Sequence, residues 1–202
     1  MRLVMRVNYL IILVLGLLIT SCSNTKIIQD WAEEGPGKTY QHPLIIGISD
    51  SQQTRQIYEK HFVSELAKNN VTATPSYTLI SSKQKMNRET VMKAIEGTEI
   101  DSVIVTYLVS SETEVMYHES PLSQGYSGDP DSTKVSATLV STRGRTSSAE
   151  IITLKNDLYD VETKTLRWTA QTRTVAPESI DEVVTDVTEL LVDRLINDGI
   201  LK

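Results

Sequence analysis

Apolar and polar positions along the chain predict a run of short buried strands separated by amphipathic helices. Leu44-Ile45-Ile46-Gly47-Ile48 is a continuous apolar run, as expected of a strand covered on both faces. Ser49-Asp50-Ser51 follows with helix-capping chemistry, and Tyr58, Phe62, Val63, Leu66 and Ala67 recur at helical spacing until Asn69-Asn70. Residues 71–80 are rich in β-branched side chains and predict a second strand, in which Pro75 lacks the amide for full pairing. Val91, Met92 and Ile95 place a short helix over 88–97, and residues 101–109 predict a third strand, apolar on both faces. This βαβαβ order implies right-handed crossovers and a partly parallel sheet.

Beyond Met116 the pattern changes. Pro121, Gly125, Gly128 and Pro130 predict a long loop over 117–131. Three strands are expected after it. Val135, Ala137 and Leu139 alternate with polar neighbours in the first, Ile152, Leu154 and Leu158 share a face in the second, and Leu166, Trp168 and Ala170 alternate in the third. Residues 142–145 read as a turn, and 160–164 as a hairpin connection. Ile180, Val183, Val184, Val187, Leu190, Leu191 and Leu195 form one stripe of a final helix that Gly199 ends. The expected fold is α/β in the broad sense (α+β): a mixed sheet from a βαβαβ half, then antiparallel strands and a C-terminal helix. It forms one domain over 43–202, whose alternation predicts a buried Trp168.

The N-terminus has a different character. Arg2 and Arg6 precede an apolar run over residues 9–19. That run is about half of the roughly 20 residues that a membrane-spanning helix needs, so it predicts a signal peptide over 1–21. Leu18-Ile19-Thr20-Ser21-Cys22 resembles the bacterial lipobox, in which the cysteine becomes the lipidated first residue. An ordinary secretory signal would leave Cys22 as a passenger. The chain has a single cysteine, which cannot pair internally, and lipidation accounts for it. Lipid on Cys22 is the expected membrane contact, and Ser23 in place of an aspartate favours, by resemblance to enteric lipoproteins, the outer membrane. Residues 22–42 are polar, hold Gly35-Pro36-Gly37, and read as a flexible tether. Trp31 is its exception, expected to dock on the domain or the membrane interface, or else to meet a partner.

The net charge of −6 becomes about −8 when Arg2 and Arg6 leave with the signal peptide, which opposes nucleic-acid binding. No GxSxG, Walker-type loop or HExxH is present, and His42, His61 and His118 share no ligand spacing. Asp129-Pro130-Asp131-Ser132 lacks the remaining acids of a calcium loop and reads as a turn. No metal, cofactor or enzymatic activity is expected. Tyr117 and Tyr126 in the 117–131 loop are candidate partner contacts, since exposed aromatics anchor interfaces, with disorder as the alternative. Arg143 and Arg145 flank a turn glycine and could grip a carboxylate, or be solvated.

Three features carry a wider resemblance: the opening strand 44–48 with a helix bearing Phe62 and Leu66, the strand Asp101-Ser102-Val103-Ile104-Val105-Thr106, and the segment 158–168 ending in Trp168. Together they resemble the group of the TolB N-terminal domain, the curli secretion lipoprotein CsgG and the lipoprotein LpoB. There is no following propeller as in TolB and no long proline-rich tether as in LpoB. The resemblance implies a non-enzymatic envelope lipoprotein on the periplasmic face of the outer membrane that binds another envelope protein. The alternative it leaves open is an oligomeric channel subunit of the CsgG kind.

Overall fold

The computed structural model describes residues 24–33, 37–118, 123–127, 136–140 and 145–202. Among them the order is β1 (Thr25–Ala32), β2 (Pro43–Ile48), α1 (Gln52–Lys68), β3 (Thr74–Pro75), a 3-10 turn (Ser76–Thr78), α2 (Arg88–Ile95), β4 (Ser102–His118), β5 (Ser123–Ser127), β6 (Ser136–Val140), β7 (Arg145–Asp160), β8 (Leu166–Val175) and α3 (Ile180–Asn197). Six strands form one mixed sheet in the order β1-β8-β7-β4-β2-β3, and β5 pairs with β6 separately. β2 runs parallel to β3 and β4; the other neighbours are antiparallel. The fold is therefore α+β, with a mixed sheet and a C-terminal helix.

Each face of the sheet has its own core, because side chains alternate along a strand. Ile45, Ile104, Leu158 and Trp168 meet Phe62 and Leu66 of α1 and Val187, Leu191 and Leu195 of α3 on one face. Leu44, Ile46 and Val103 meet Val91 and Ile95 of α2, together with Ile80, on the other. Ser51 caps α1 by accepting from Thr54 N at 3.2 Å, and Ser179 caps α3 by accepting from Glu182 N at 3.1 Å. Trp168 is fully buried, and its indole Nε1 donates to the Asp198 carboxylate at 3.3 Å, just past the end of α3.

The expected second strand shrinks to Thr74–Pro75. Pro75 cannot donate to a ladder, and the chain then turns so that Ser76 Oγ and Tyr77 N both donate to the Glu59 carboxylate, at 2.6 and 2.9 Å. Ile180 is a second departure. It heads the α3 stripe in sequence, yet at the first position of the helix it is 61% exposed.

The tether expected over 22–42 is corrected most. Thr25–Ala32 is an edge strand paired antiparallel to β8. Thr25 is buried and Ile27 packs on the core, whereas Lys26, Gln29 and Asp30 face water, as suits an edge. Asp30 pairs with Arg194 and Glu33 with Arg167. Trp31 is 48% exposed on this strand. The crossover that follows is pinned as well. Tyr40 is fully buried, its backbone bonds to Ile200 and Lys202, and the Gln41 and His42 amides donate to Asp101 at 2.7 and 3.2 Å.

Candidate interaction surface

The sheet is lopsided in length. β4 has 17 residues and β7 has 16, but β2 accompanies β4 only as far as Tyr107, and β8 accompanies β7 only as far as Ile151. β4 and β7 stay in register to His118↔Arg145, and once β8 ends at Ile151 they continue alone, from Thr113↔Glu150 outward, as a two-stranded arm. A register shift between Leu108 and Ser110 marks where β4 passes the end of β2, as bulges do at such transitions. Among the described residues, both outer edges of the arm lack a paired strand.

An apolar shoulder lies at the arm's base. Ile48, Leu108, Val109 and Ile180 are all exposed there, and a cavity of about 240 Å³ opens between Gly47, Tyr58, Leu108, Ile152, Ile180 and Val183. Gly47 suits the close packing of α1 on β2: a Cβ there would stand 3.1 Å from the Tyr58 ring, which would have to shift by a few tenths of an ångström. On the opposite face, a groove of about 410 Å³ runs between α2 and the sheet, lined by Ile46, Met92, Val103, Val105 and Tyr159. It borders a polar cluster in which Asp157 accepts from Tyr107 Oη at 3.2 Å and from Thr169 Oγ1 at 2.5 Å. Its hydrogen bond with Tyr107, and then the Asp157 charge, push the Lys155 ammonium up.

The buried charges serve the scaffold. Glu59 is fully buried and accepts from Gly47 N (3.1 Å), Arg55 Nε (2.8 Å), Ser76 Oγ (2.6 Å) and Tyr77 N (2.9 Å), tying β2, α1 and the 3-10 turn together. At the end of the sheet away from the arm, Asp160 accepts from Thr163 N (2.7 Å), Tyr40 Oη (2.9 Å) and Lys38 Nζ (3.0 Å). Burial alone would raise the Asp160 carboxyl, but the bonds from Thr163, Lys38 and Tyr40 outweigh it and hold it at about 2. Burial, and then the same carboxylate, push the Tyr40 phenol up to about 12.

Because the folded value lies below the ordinary value of about 3.9, the stabilisation is fully present above pH 4 and is lost as pH falls toward 2. Two units correspond to about 2 to 3 kcal/mol. Denaturant titration at pH 6 and pH 3 should show Asp160→Asn less sensitive to acid than the parent by about 1 kcal/mol, roughly half of that total, because the rest is lost only as pH approaches 2. An unchanged pH slope would remove Asp160 from the acid response.

The residues nominated from sequence fall in different places. Cys22 and Arg143 lie outside the described residues, with Cys22 three positions before β1. The loop expected over 117–131 is partly strand. Tyr117 stands opposite Thr146 near the end of β4, Arg145 begins β7 opposite His118, and Tyr126 lies in β5 opposite Ala137. Tyr117 and Arg145 thus occupy successive rungs of the arm, and Tyr126 belongs to the separate ribbon. His61 is structural, its Nδ1 lying 3.0 Å from Thr188 Oγ1. The shoulder went unseen in sequence, although the adjacent pair Leu108-Val109 just before Ser110-Ser111 breaks the strand alternation there.

No family model matches the chain, and no curated protein matches it. Among solved structures it is similar to a PelC dodecamer from Paraburkholderia phytofirmans, at 6% identity and a TM-score of 0.48, over 88% of this chain and 99% of that one. It is also similar to the lipoprotein GNA1162 from Neisseria meningitidis, at 11% identity and a TM-score of 0.41, over 77% of this chain and 98% of that one.

Proposed function

We propose that the chain is a cell-envelope lipoprotein, held by lipid on Cys22 at the periplasmic face of the outer membrane, that works without catalysis as a protein-interaction or assembly module. The β4–β7 arm carries this reading. Two strands that leave a packed sheet beyond Glu112 and Ile151, with both outer edges unpaired among the described residues, offer backbone donors and acceptors to which another strand can add. Confinement to one layer raises the effective concentration of any partner in that layer, so a modest contact suffices.

The test is Cys22→Ser beside a soluble form that starts at Ser23 behind an ordinary secretory signal. Labelled palmitate should enter the parent and not the serine variant. The soluble form should accumulate normally yet fail to restore the phenotype that deletion of the gene produces. Full complementation by the unanchored domain at native abundance would sink the assembly reading.

The arm also favours a second reading, a channel subunit. Edges open among the described residues permit arms of successive copies to pair edge to edge, although the free part, residues 113–118 and 145–150, falls short of the roughly 9 to 11 residues that a membrane strand needs. Composition weighs against it. By register, Glu112 and Glu114 lie on one face of the arm and Glu150, opposite Thr113, on the other, so neither face is a continuous apolar band.

A further inference from the structure

Three pairings define one level across the sheet: Thr25 lies opposite Thr174, Thr174 opposite Ile152, and Ile152 opposite Ser111. Because each of these neighbours is antiparallel to the next, the chain running back from Thr25 toward Cys22 leaves this level in the direction that β4 takes beyond Ser111. Anchor and arm therefore share one end of the sheet. Their lengths differ. From Ser111 to His118 β4 extends roughly 24 Å at about 3.4 Å per residue. The three residues from Thr25 back to Cys22 reach about 10 Å when fully extended. A leash shorter than the arm cannot hold the arm clear of the surface to which the leash is fixed.

The same end carries apolar surface on one side of the sheet. Leu108 and Val115 share the face packed by α1 and α3, since Leu108 is opposite Leu154 and Val115 follows Ser111 at even spacing. Val115 is 63% exposed, and Ile180 at the start of α3 is exposed beside the same cavity. We propose that the lipidated chain is docked and not merely tethered: the arm and the shoulder of Leu108, Val115 and Ile180 rest on the bilayer that holds Cys22. This rests on the lipoprotein reading above. Glu112, Glu114 and Glu150 keep the arm at the headgroup layer and out of the hydrocarbon, and they favour zwitterionic over anionic lipid.

The experiment uses full-length lipidated protein in vesicles of phosphatidylcholine and phosphatidylethanolamine. Lipid occupies Cys22, so Val115→Cys, Ile180→Cys and, at the far end, Glu162→Cys each introduce one free thiol for a fluorophore. Palmitate incorporation is measured first; none at all would overturn the lipoprotein reading and the docking with it. With lipid present, quenchers at the lipid headgroup should dim the labels at 115 and 180 several-fold more than the label at 162. Ten Gly and Ser residues inserted between Ser23 and Asn24 should reduce that contrast, and phosphatidylglycerol should weaken it. Equal quenching at all three sites overturns the docking while leaving the anchor intact. So does disulfide formation between two copies at residue 115 without quenching, which would assign the shoulder to a second copy of the chain.

Discussion

Trp168→Ala is expected to destabilise the domain by about 3 to 5 kcal/mol, the range for truncating a large buried aromatic. The indole stands where β8 meets both α1 and α3, with Phe62, Leu66, Leu191 and Leu195 in the same core. Its Nε1 donates to Asp198 at 3.3 Å, so truncation also removes a partner from the C-terminal end of α3. Trp168→Phe keeps most of the volume and should lose distinctly less. Urea unfolding of the three proteins separates these outcomes. An alanine variant as stable as the parent would place the ring outside the core.

Glu59→Ala should cost a similar amount, about 3 to 5 kcal/mol, for a different reason. Removing the carboxylate leaves the Arg55 guanidinium, the Gly47 and Tyr77 amides and the Ser76 hydroxyl without their shared acceptor in a place that water barely reaches. The cost is chiefly that of the charge and donors left behind. It follows that Arg55→Met combined with Glu59→Leu should be less damaging than Glu59→Ala alone, because the double change removes charge and counter-charge together. Thermal unfolding of the single and double variants checks the order. A double variant worse than the single would mean that the network contributes more by bonding than it costs in desolvation.

Elements covered on both sides were legible in sequence. The apolar run of β2, the stripes of α1 and α3 and the alternation around Trp168 each state their burial directly, and the structure buries all four except at their ends, where Ile48, Ala67 and Ile180 are exposed. Elements with one free side were not. β1 buries only Thr25 and half-buries Ile27 and Ala32, so its largely polar sequence reads as a tether. Residues 111–115 of β4 are exposed on both faces, so the apolar pattern predicts a strand ending at residue 109 and a loop over 117–131. The strand expected over 71–80 failed because propensity was overridden by one proline and by a buried carboxylate that draws the chain aside.

The interaction surface follows the same division. The segment Leu18 to Cys22 that resembles a lipobox is a local motif, complete within a few consecutive residues, and the proposed anchor rests on sequence alone. That the anchor and the arm leave the same end of the sheet is written nowhere locally. It depends on the pairings between residues 25 and 174, 174 and 152, and 152 and 111, the first two spanning up to 149 positions. Hydrophobic periodicity says which side of a residue is buried, but not which distant strand lies beside it. Burial, helix capping and the lipobox-like segment at Cys22 were thus decided by sequence, whereas strand neighbours, the edges of the arm and the end of the sheet from which the chain runs back toward Cys22 were decided only by tertiary structure, because register is set between segments and not within them.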